Sequence, residues 1–324
     1  MAAPAAAHPA FDPALRTSCL DHGMSVLRFC ASLALACLAV SGCAAPQRDA
    51  ARTHGAVVDV DDFGDTLRVP NTAPARVVSL NPTTTEIVFA IGAGGRLVGR
   101  SQWDSWPDAA RRVPALGPAV RPNVEAVLAV HPDLVLLYGS ADDRPAAERF
   151  RSAGITVAAL RIDRIADFER ATHDLGALLG DSARAAAVLD SVNATLARVR
   201  EATAGLPRAR VFMPAWDQPV IAIGGGSFLD ELIEIAGGRN IYADVAAPSP
   251  TVTLEDVVAR DPDVVLTSPE MRARILADPR WRALRAVRQG RVLAFDTTVV
   301  GRPSVVLGAA AVSLARLLHP GIHP

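Results

Sequence analysis

One stretch of this chain is written twice. Asn123-Val-Glu-Ala-Val-Leu-Ala-Val-His-Pro-Asp-Leu-Val-Leu136 and Thr253-Leu-Glu-Asp-Val-Val-Ala-Arg-Asp-Pro-Asp-Val-Val-Leu266 share Glu, Val, Ala, Pro, Asp, Val and Leu in one register, 130 residues apart. Each copy reads as a helix opened by a polar cap, closed at Pro-Asp and followed by an apolar strand. A second pair, Gly94-Gly95-Arg96 and Gly237-Gly238-Arg239, follows a helical pattern in each half. A helix–strand unit repeated at this distance predicts two similar lobes.

Between these markers, short apolar runs alternate with helical spacing. Arg76–Leu80 reads as a strand and Thr83–Ile91 as a helix stopped by Gly92. After Asp133, the run Leu134–Leu137 is continuously apolar between Pro132 and Gly139, as for a strand covered on both faces, and Ile155–Leu160 reads the same way. This alternation predicts an α/β fold with parallel sheets. The two halves are joined by Asp181–Gly205. Asp181 or Ser182 can cap its start, Gly205 and Pro207 can stop it, and Val188, Leu189, Val192, Leu196 and Val199 share one face. A helix of about 24 residues spans roughly 36 Å. The reading is therefore two similar α/β lobes joined by one long rigid helix, with lobes that move little against each other. An ordinary long core helix would show the same face.

Composition removes whole classes of function. The chain has 324 residues, half of them hydrophobic, with 33 basic against 34 acidic side chains and a formal net charge of −1. That suits a folded chain with a sizeable core, not a disordered acidic one. It lacks the basic excess expected of a nucleic-acid binder. Every basic residue is Arg, so no lysine can form a Schiff base.

The N-terminus points to export. Met24 opens a segment with Arg28, the apolar stretch Phe29–Val40, then Ser41-Gly42-Cys43. This is the order of a secretory signal, and it falls short of the roughly 20 residues of a membrane-spanning helix. Residues 1–23 fit no targeting pattern, which makes Met24 a candidate start. Val40-Ser-Gly-Cys43 resembles a bacterial lipobox, whose cysteine is lipidated and becomes the first mature residue; a plain anchor helix with an incidental cysteine is the other reading. Cys19, Cys30 and Cys37 precede that point. A mature chain would then have no internal disulfide, thiolate metal site or cysteine nucleophile. The resulting division is a signal region 1–42, a flexible tether 43–56, an N-terminal lobe 57–180, a connecting helix 181–206 and a C-terminal lobe 207–324.

Taken together, the lipobox, Arg76-Val-Val-Ser-Leu-Asn-Pro-Thr-Thr-Thr-Glu86, Gly92-Ala-Gly-Gly-Arg-Leu-Val-Gly99, Trp103 to Pro107, Pro122-Asn-Val-Glu125 and the single long helix resemble the substrate-binding proteins of ABC importers for cobalamin, ferric siderophores and haem. The similarity runs from about Val57 to Leu318. The Ser-Leu-Asn-Pro…Thr-Glu opening and the Trp103/Trp106-Pro107 block are most similar to the cobalamin branch. The resemblance implies a ligand cleft between the lobes, no catalysis and no resident cofactor, cobalamin being the transported ligand. It implies ABC permease subunits as partners, a corrinoid or siderophore as ligand, membrane attachment only through a lipid on Cys43, a monomer, and a periplasmic or cell-surface location. The permease would be met by Glu125 and Glu255, the repeat's equivalent carboxylates, pairing with arginines on its two subunits. Helix-dipole complementation is their other reading.

A corrinoid is a broad macrocycle fringed with amides and wants flat apolar walls with a few donors. Trp103 and Trp106 sit in the polar loop Ser101–Pro107, a poor place for core indoles. The resemblance puts Trp103 in the pocket. Tyr138 ends the first buried strand, where α/β folds present ligand residues; strand-end packing is its alternative. Trp216 follows the strand Arg210–Phe212 at the matching place in the second half. Arg302 falls where the family often has a cleft-rim Arg, able to donate to amides or phosphate or to cap a helix. Trp281, on the apolar side of Asp278–Leu284, reads as core. Where the cobalamin branch often carries further aromatics, this chain has Ala119 and Ser249.

Other signals point away from chemistry. Gly224-Gly-Gly-Ser-Phe228 lacks the Gly-Lys-Ser/Thr ending of a phosphate loop, and Ser227 reads as a helix cap. His54, His131, His173, His319 and His323 are scattered, and no His/Asp cluster marks a bare metal site. Haem would want an axial Tyr or His, and Leu116–Arg121 offers none. A ferric-siderophore receptor on the same fold is the nearest alternative, with Arg100, Arg121 and Arg144 available for an anionic complex. A lipid-anchored α/β enzyme would need a nucleophile–base constellation that does not appear, and a ligand-free structural lipoprotein would need a filled cleft.

Overall fold

The computed structural model describes residues 55–296 and 301–324. The signal region, the four cysteines and most of the tether lie outside the described residues. Those described belong to one compact unit, Arg52–Pro324.

The chain begins with an antiparallel hairpin of β1 (Val57–Val60) and β2 (Thr66–Arg68). The first half continues as β3 (Val77–Ser79), α1 (Pro82–Ala90), β4 (Leu97–Arg100), α2 (Val124–Ala129), β5 (Leu134–Leu137), α3 (Arg144–Ser152) and β6 (Thr156–Ala159). Helices α4 (Ile165–Leu178) and α5 (Ser182–Thr203) lead onward. The second half has β7 (Ala209–Phe212), a hairpin of β8 (Pro214–Asp217) and β9 (Val220–Ala222), α6 (Phe228–Ile235), β10 (Gly238–Asn240), α7 (Leu254–Ala259), β11 (Val264–Thr267), α8 (Pro269–Ala277), α9 (Arg285–Arg288), β12 (Val292–Ala294) and α10 (Leu307–Leu318).

The two halves have the same topology. Each holds a four-stranded sheet, ordered β4-β3-β5-β6 and β10-β7-β11-β12, and every pairing in both is parallel. Each half thus places its first sheet strand between its second and third. Helices cover both faces, which is why β5 (Leu-Val-Leu-Leu) and β11 (Val-Val-Leu-Thr) are buried along their whole length. The two Gly-Gly-Arg segments mark equivalent places: Gly94–Arg96 is a 3-10 turn running into β4, and Gly238 and Arg239 open β10.

The repeated Pro-Asp has a structural cause. Asn123 and Thr253 cap α2 and α7 by accepting from the backbone N–H of Ala126 and Asp256, each worth about 1 kcal/mol. Both helices end on a left-handed residue, His131 (φ 46°) and Asp261 (φ 38°). Proline then bars further helix. The aspartate turns back to the start of the neighbouring strand. Asp133 Oδ2 accepts from the N–H groups of Ala75 and Arg76, each at 2.9 Å, and Asp263 Oδ2 accepts from that of Arg210 at 2.9 Å. The guanidinium of Arg76 answers with bonds to the carbonyls of Val130 and His131, and that of Arg210 with bonds to those of Arg260 and Asp261. Helix-end carbonyls and a strand-start N–H are satisfied by one latch, used twice.

Helix α5 is capped by Asp181 and runs 22 residues, about 33 Å. Val192, Leu196 and Val199 are buried, Val188 and Leu189 partly so. It packs on α4 from the first half and on α10 and α6 from the second. Gly176 lets α4 approach closely, since a Cβ there would collide with Ala185 of α5. One apolar cluster therefore continues from Val77 and Leu134 through Leu175 and Leu196 to Val211 and Leu266. Two further clusters fill the outer layers. That of the second half stacks Trp281 on Phe212 with ring centroids 6.1 Å apart, so Trp281 is core, within a short 3-10 turn.

Candidate ligand-binding cleft

In open parallel sheets the crevice for a ligand lies beyond the carboxyl ends of the strands, where the strand order reverses. Both sheets meet this condition, and both point into one cavity of about 640 Å³. Asn81 and Tyr138 reach it after β3 and β5, Met213 and Ser268 after β7 and β11. Phe228 and Arg302 line it from the second half. The size lies within the roughly 300–1,000 Å³ of small-molecule sites. A macrocycle larger than this would stand partly proud of the floor and meet the loops around it.

Contacts in and beside the floor tie the halves together. Thr83 Oγ1 donates to the carbonyl of Pro303 at 3.1 Å, and the N–H of Phe228 donates to the carbonyl of Asp163 at 3.2 Å. Arg164 donates through Nη2 to Glu231 Oε1 at 2.7 Å, and Glu231 Oε2 accepts from the N–H of Ile165 at 2.9 Å. Tyr138 donates its hydroxyl to Asp163 Oδ1 at 2.6 Å. Burial first, then the Asp163 carboxylate, raises the Tyr138 pKa well above its usual value, so it stays a neutral donor.

Arg302 does stand at the cleft, but it is held. Its Nε donates to Glu86 Oε1 at 2.7 Å and its Nη2 goes to the same oxygen. Glu86 sits in α1 of the opposite half and is only 2% exposed; among the described residues its Oε2 has no hydrogen-bond partner. Burial pushes the Glu86 carboxyl up, and Arg302 with the nearby Ser304 hydroxyl pulls it back.

The three loop tryptophans lie outside the cavity wall. Trp103 is 62% exposed, Trp106 42% and Trp216 52%. All three sit on segments that leave the cleft-facing ends of strands, after β4 and after β7. The Trp103 loop is anchored from within. Asp104, fully buried, accepts from the hydroxyls of Ser101 and Thr85, and the Thr85 oxygen lies 2.7 Å from the Ser79 hydroxyl. Burial raises the Asp104 pKa, and these hydrogen bonds oppose the rise. Trp216 donates Nε1 to the Gln218 carbonyl at 3.0 Å, beneath the guanidinium of Arg274 at 5.6 Å.

Glu125 and Glu255 occupy matching exposed places in the first turns of α2 and α7. Glu125 pairs with Arg149 at 3.0 Å. Its own backbone N–H, then Arg149, holds its carboxyl below the usual range. The arginines considered for an anionic ligand do not converge. Arg100 serves the carbonyls of Ala110, Val113 and Ser101, Arg121 pairs with Asp142, and Arg144 reaches the carbonyl of Phe63. None of the three lines the cavity. Each is engaged with other groups of the first half.

Three residues the sequence reading did not single out matter here: Glu86, Asp104 and Asp163. Glu86 appears in the sequence reading only as the last residue of the Arg76–Glu86 motif, with no role of its own. The run Gly224–Gly226 is explained by packing, because a Cβ on any of the three would strike backbone carbonyls of Ala243, Ala246 or Ala247. A second cavity of about 670 Å³ lies at the far end of α5 among Glu169, Arg200, Arg208, Glu231 and Glu234. Among the described residues it has no aromatic wall, and it borders the starts of β7 and β10, not the carboxyl ends of strands. Among the described residues no group of three His, Cys, Asp or Glu side chains could hold a metal ion, and no helix is long and apolar enough to cross a membrane.

Comparison with known proteins agrees with this geometry. Residues 77–298 match the family model described as "Periplasmic binding protein". A "Cobalamin-binding protein" of Halobacterium salinarum is 32% identical over 310 residues, covering 89% of this chain and 82% of that one. An "Uncharacterized ABC transporter substrate-binding lipoprotein YvrC" of Bacillus subtilis is 26% identical over 303 residues, covering 90% and 96%. Among solved structures, a periplasmic haem-binding protein from Pseudomonas aeruginosa superposes with a TM-score of 0.69 at 25% identity, covering 78% of this chain and 95% of that one. These relatives are solute-binding proteins, not enzymes. The fold, the cleft at the strand ends and these matches place the chain in the periplasmic binding protein family, as a substrate-binding protein of an ABC importer from its cobalamin, haem and siderophore group.

Proposed function

We propose that the protein captures a corrinoid in the cleft between its halves and hands it to an ABC permease, while a lipid on Cys43 holds it at the membrane. The observations that support the ligand reading are three exposed indoles on segments that follow the cleft-facing ends of strands, and a cavity wall that includes Tyr138, Met213 and Phe228. Aromatic faces of this kind suit a flat macrocycle, each stack adding about 0.5–1.5 kcal/mol beyond area burial. Trp103, Trp106 and Trp216 would grip the macrocycle, and Tyr138 and Arg302 would meet its polar fringe. The cobalamin-binding relative supports the same ligand. An anionic ferric siderophore is less well served, because Arg100, Arg121 and Arg144 are engaged elsewhere.

Delivery rests on the repeat. Glu125 and Glu255 lie on equivalent helices of equivalent halves, and both are exposed. Exposed charges of this kind set register and encounter rate more than affinity. Attachment through a single lipid chain would be marginal, and several chains would make it durable. The lipoprotein relative supports the anchor. Reversing both charges, Glu125→Arg with Glu255→Arg, should leave corrinoid affinity intact and abolish uptake in cells. Normal import by that variant would remove both residues from docking.

A further inference from the structure

Charge as well as shape decides what a cleft admits. Among the described residues, two charged side chains belong to the cavity wall, Arg302 and Asp163. Arg302 does not face the ligand space as a lone cation, because two of its nitrogens go to Glu86 Oε1 from the opposite half. Glu86 is almost fully buried, so water does little to screen that pair. Asp163 has no guanidinium of its own. Its Oδ1 takes the hydroxyl proton of Tyr138, a neutral donor. The next charges near Tyr138 are Arg161 and, with less influence, Asp167, of opposite sign, and neither lines the cavity. With Glu86 set against Arg302, the cavity wall keeps one negative side chain, Asp163; the Asp104 carboxyl, which also acts on Glu86, does not line the cavity.

We propose that Glu86 is a specificity-determining residue of this cleft: by cancelling Arg302 across the lobe boundary it leaves Asp163 uncompensated, so the floor favours neutral or cationic ligands and turns anionic ones away. The inference rests on the cleft being the ligand site. It adds a discriminating residue that never touches the ligand. A role limited to helix stability would not need a partner on the other half.

The test compares ligands of one shape and two charges. Cyanocobalamin is formally neutral, and its monocarboxylates, made by hydrolysing one side-chain amide, add a negative charge. Wild type should bind the neutral form more tightly. Glu86→Gln should move the affinity ratio toward the anion by about tenfold, the scale of one unit charge at about 10 Å with an effective dielectric near 20. The double variant E86Q/R302Q should bind both ligands more weakly yet return the ratio to the wild-type value. Thermal melts confirm that each protein compared is folded. If E86Q alone does not fold, the double variant decides. An E86Q ratio equal to wild type, or a double-variant ratio displaced about tenfold against the anion, overturns the proposal. A wild type that binds no corrinoid overturns the cobalamin reading instead. The same ratio is then read with a neutral ferric tris-hydroxamate and an anionic ferric tris-catecholate, and failure to bind either overturns both.

Discussion

Set side by side, the β4-β3-β5-β6 sheet and the β10-β7-β11-β12 sheet have one topology, one Pro-Asp latch and one capped helix leading into it. They differ in the segments that leave the first strand of each. After β3 the first half buries hydroxyls and carboxylates, linking Ser79, Thr84, Thr85 and Asp104, and so braces the loop that carries Trp103 and Trp106. After β7 the second half builds a β-hairpin that lifts Trp216 into solvent, over a core holding Phe212, Tyr242 and Trp281. The duplicated residues make scaffold. The residues at the cleft come from the segments that are not duplicated.

The largest effects should come from the two outer cores. Trp281→Ala in the second half and Phe150→Ala in the first each remove a buried ring, at about 3–5 kcal/mol. Because one apolar cluster runs through α5 into both halves, either substitution should lower a single cooperative unfolding transition in denaturant. Two separated transitions would show that the halves are independent and the strut is not shared.

A smaller effect should belong to the first half alone. Asp174 on α4 is buried, and among the described residues its Oδ2 has no hydrogen-bond partner. Burial pushes its carboxyl up to about 6, the Asp59 carboxylate adds to this, and Arg170 and His173 pull back. A raised carboxyl favours folding below its unfolded value near 3.9, and that contribution is lost as pH rises through about 6. Asp174→Asn should therefore stabilise the protein by about 1–2 kcal/mol at pH near 7.5 and change little near pH 4. Melting temperatures across that window check it. An equal gain at both ends would place the effect outside titration.

The latch should give the smallest effects and the sharpest comparison. Asp133→Ala loses two backbone donors' partner and Asp263→Ala one, together with an Arg285 contact. At about 0.5–1.5 kcal/mol per hydrogen bond, each should cost on the order of 1–2 kcal/mol. The double substitution should be additive, since the sites share no partner. Marked non-additivity would mean that the latches communicate.

Much of the fold was legible because its signals are local or repeated. The run Leu134–Leu137, the caps at Asn123, Asp181, Ser227 and Thr253, and the uninterrupted face of α5 are each written within a few residues. The β1–β2 and β8–β9 hairpins were not foreseen, because their strands are short and largely exposed and so lack a clear buried period. The site was harder. Tyr138 and Arg302 reach the cavity wall, whereas the three indoles stand outside it. The partner of Glu86 lies 216 residues away. No spacing rule connects them, and only the meeting of the two halves does.

The most direct measurement is equilibrium titration of the purified protein and its Trp103→Ala variant with cobalamin and, separately, with ferric siderophores, following tryptophan fluorescence. A corrinoid receptor of the kind described should bind cobalamin saturably and in preference to the iron chelates. The variant should lose more than about tenfold in affinity, about 1.4 kcal/mol. Tighter binding of a siderophore, or an affinity for cobalamin untouched by loss of the Trp103 ring, would contradict a corrinoid cleft bordered by indoles.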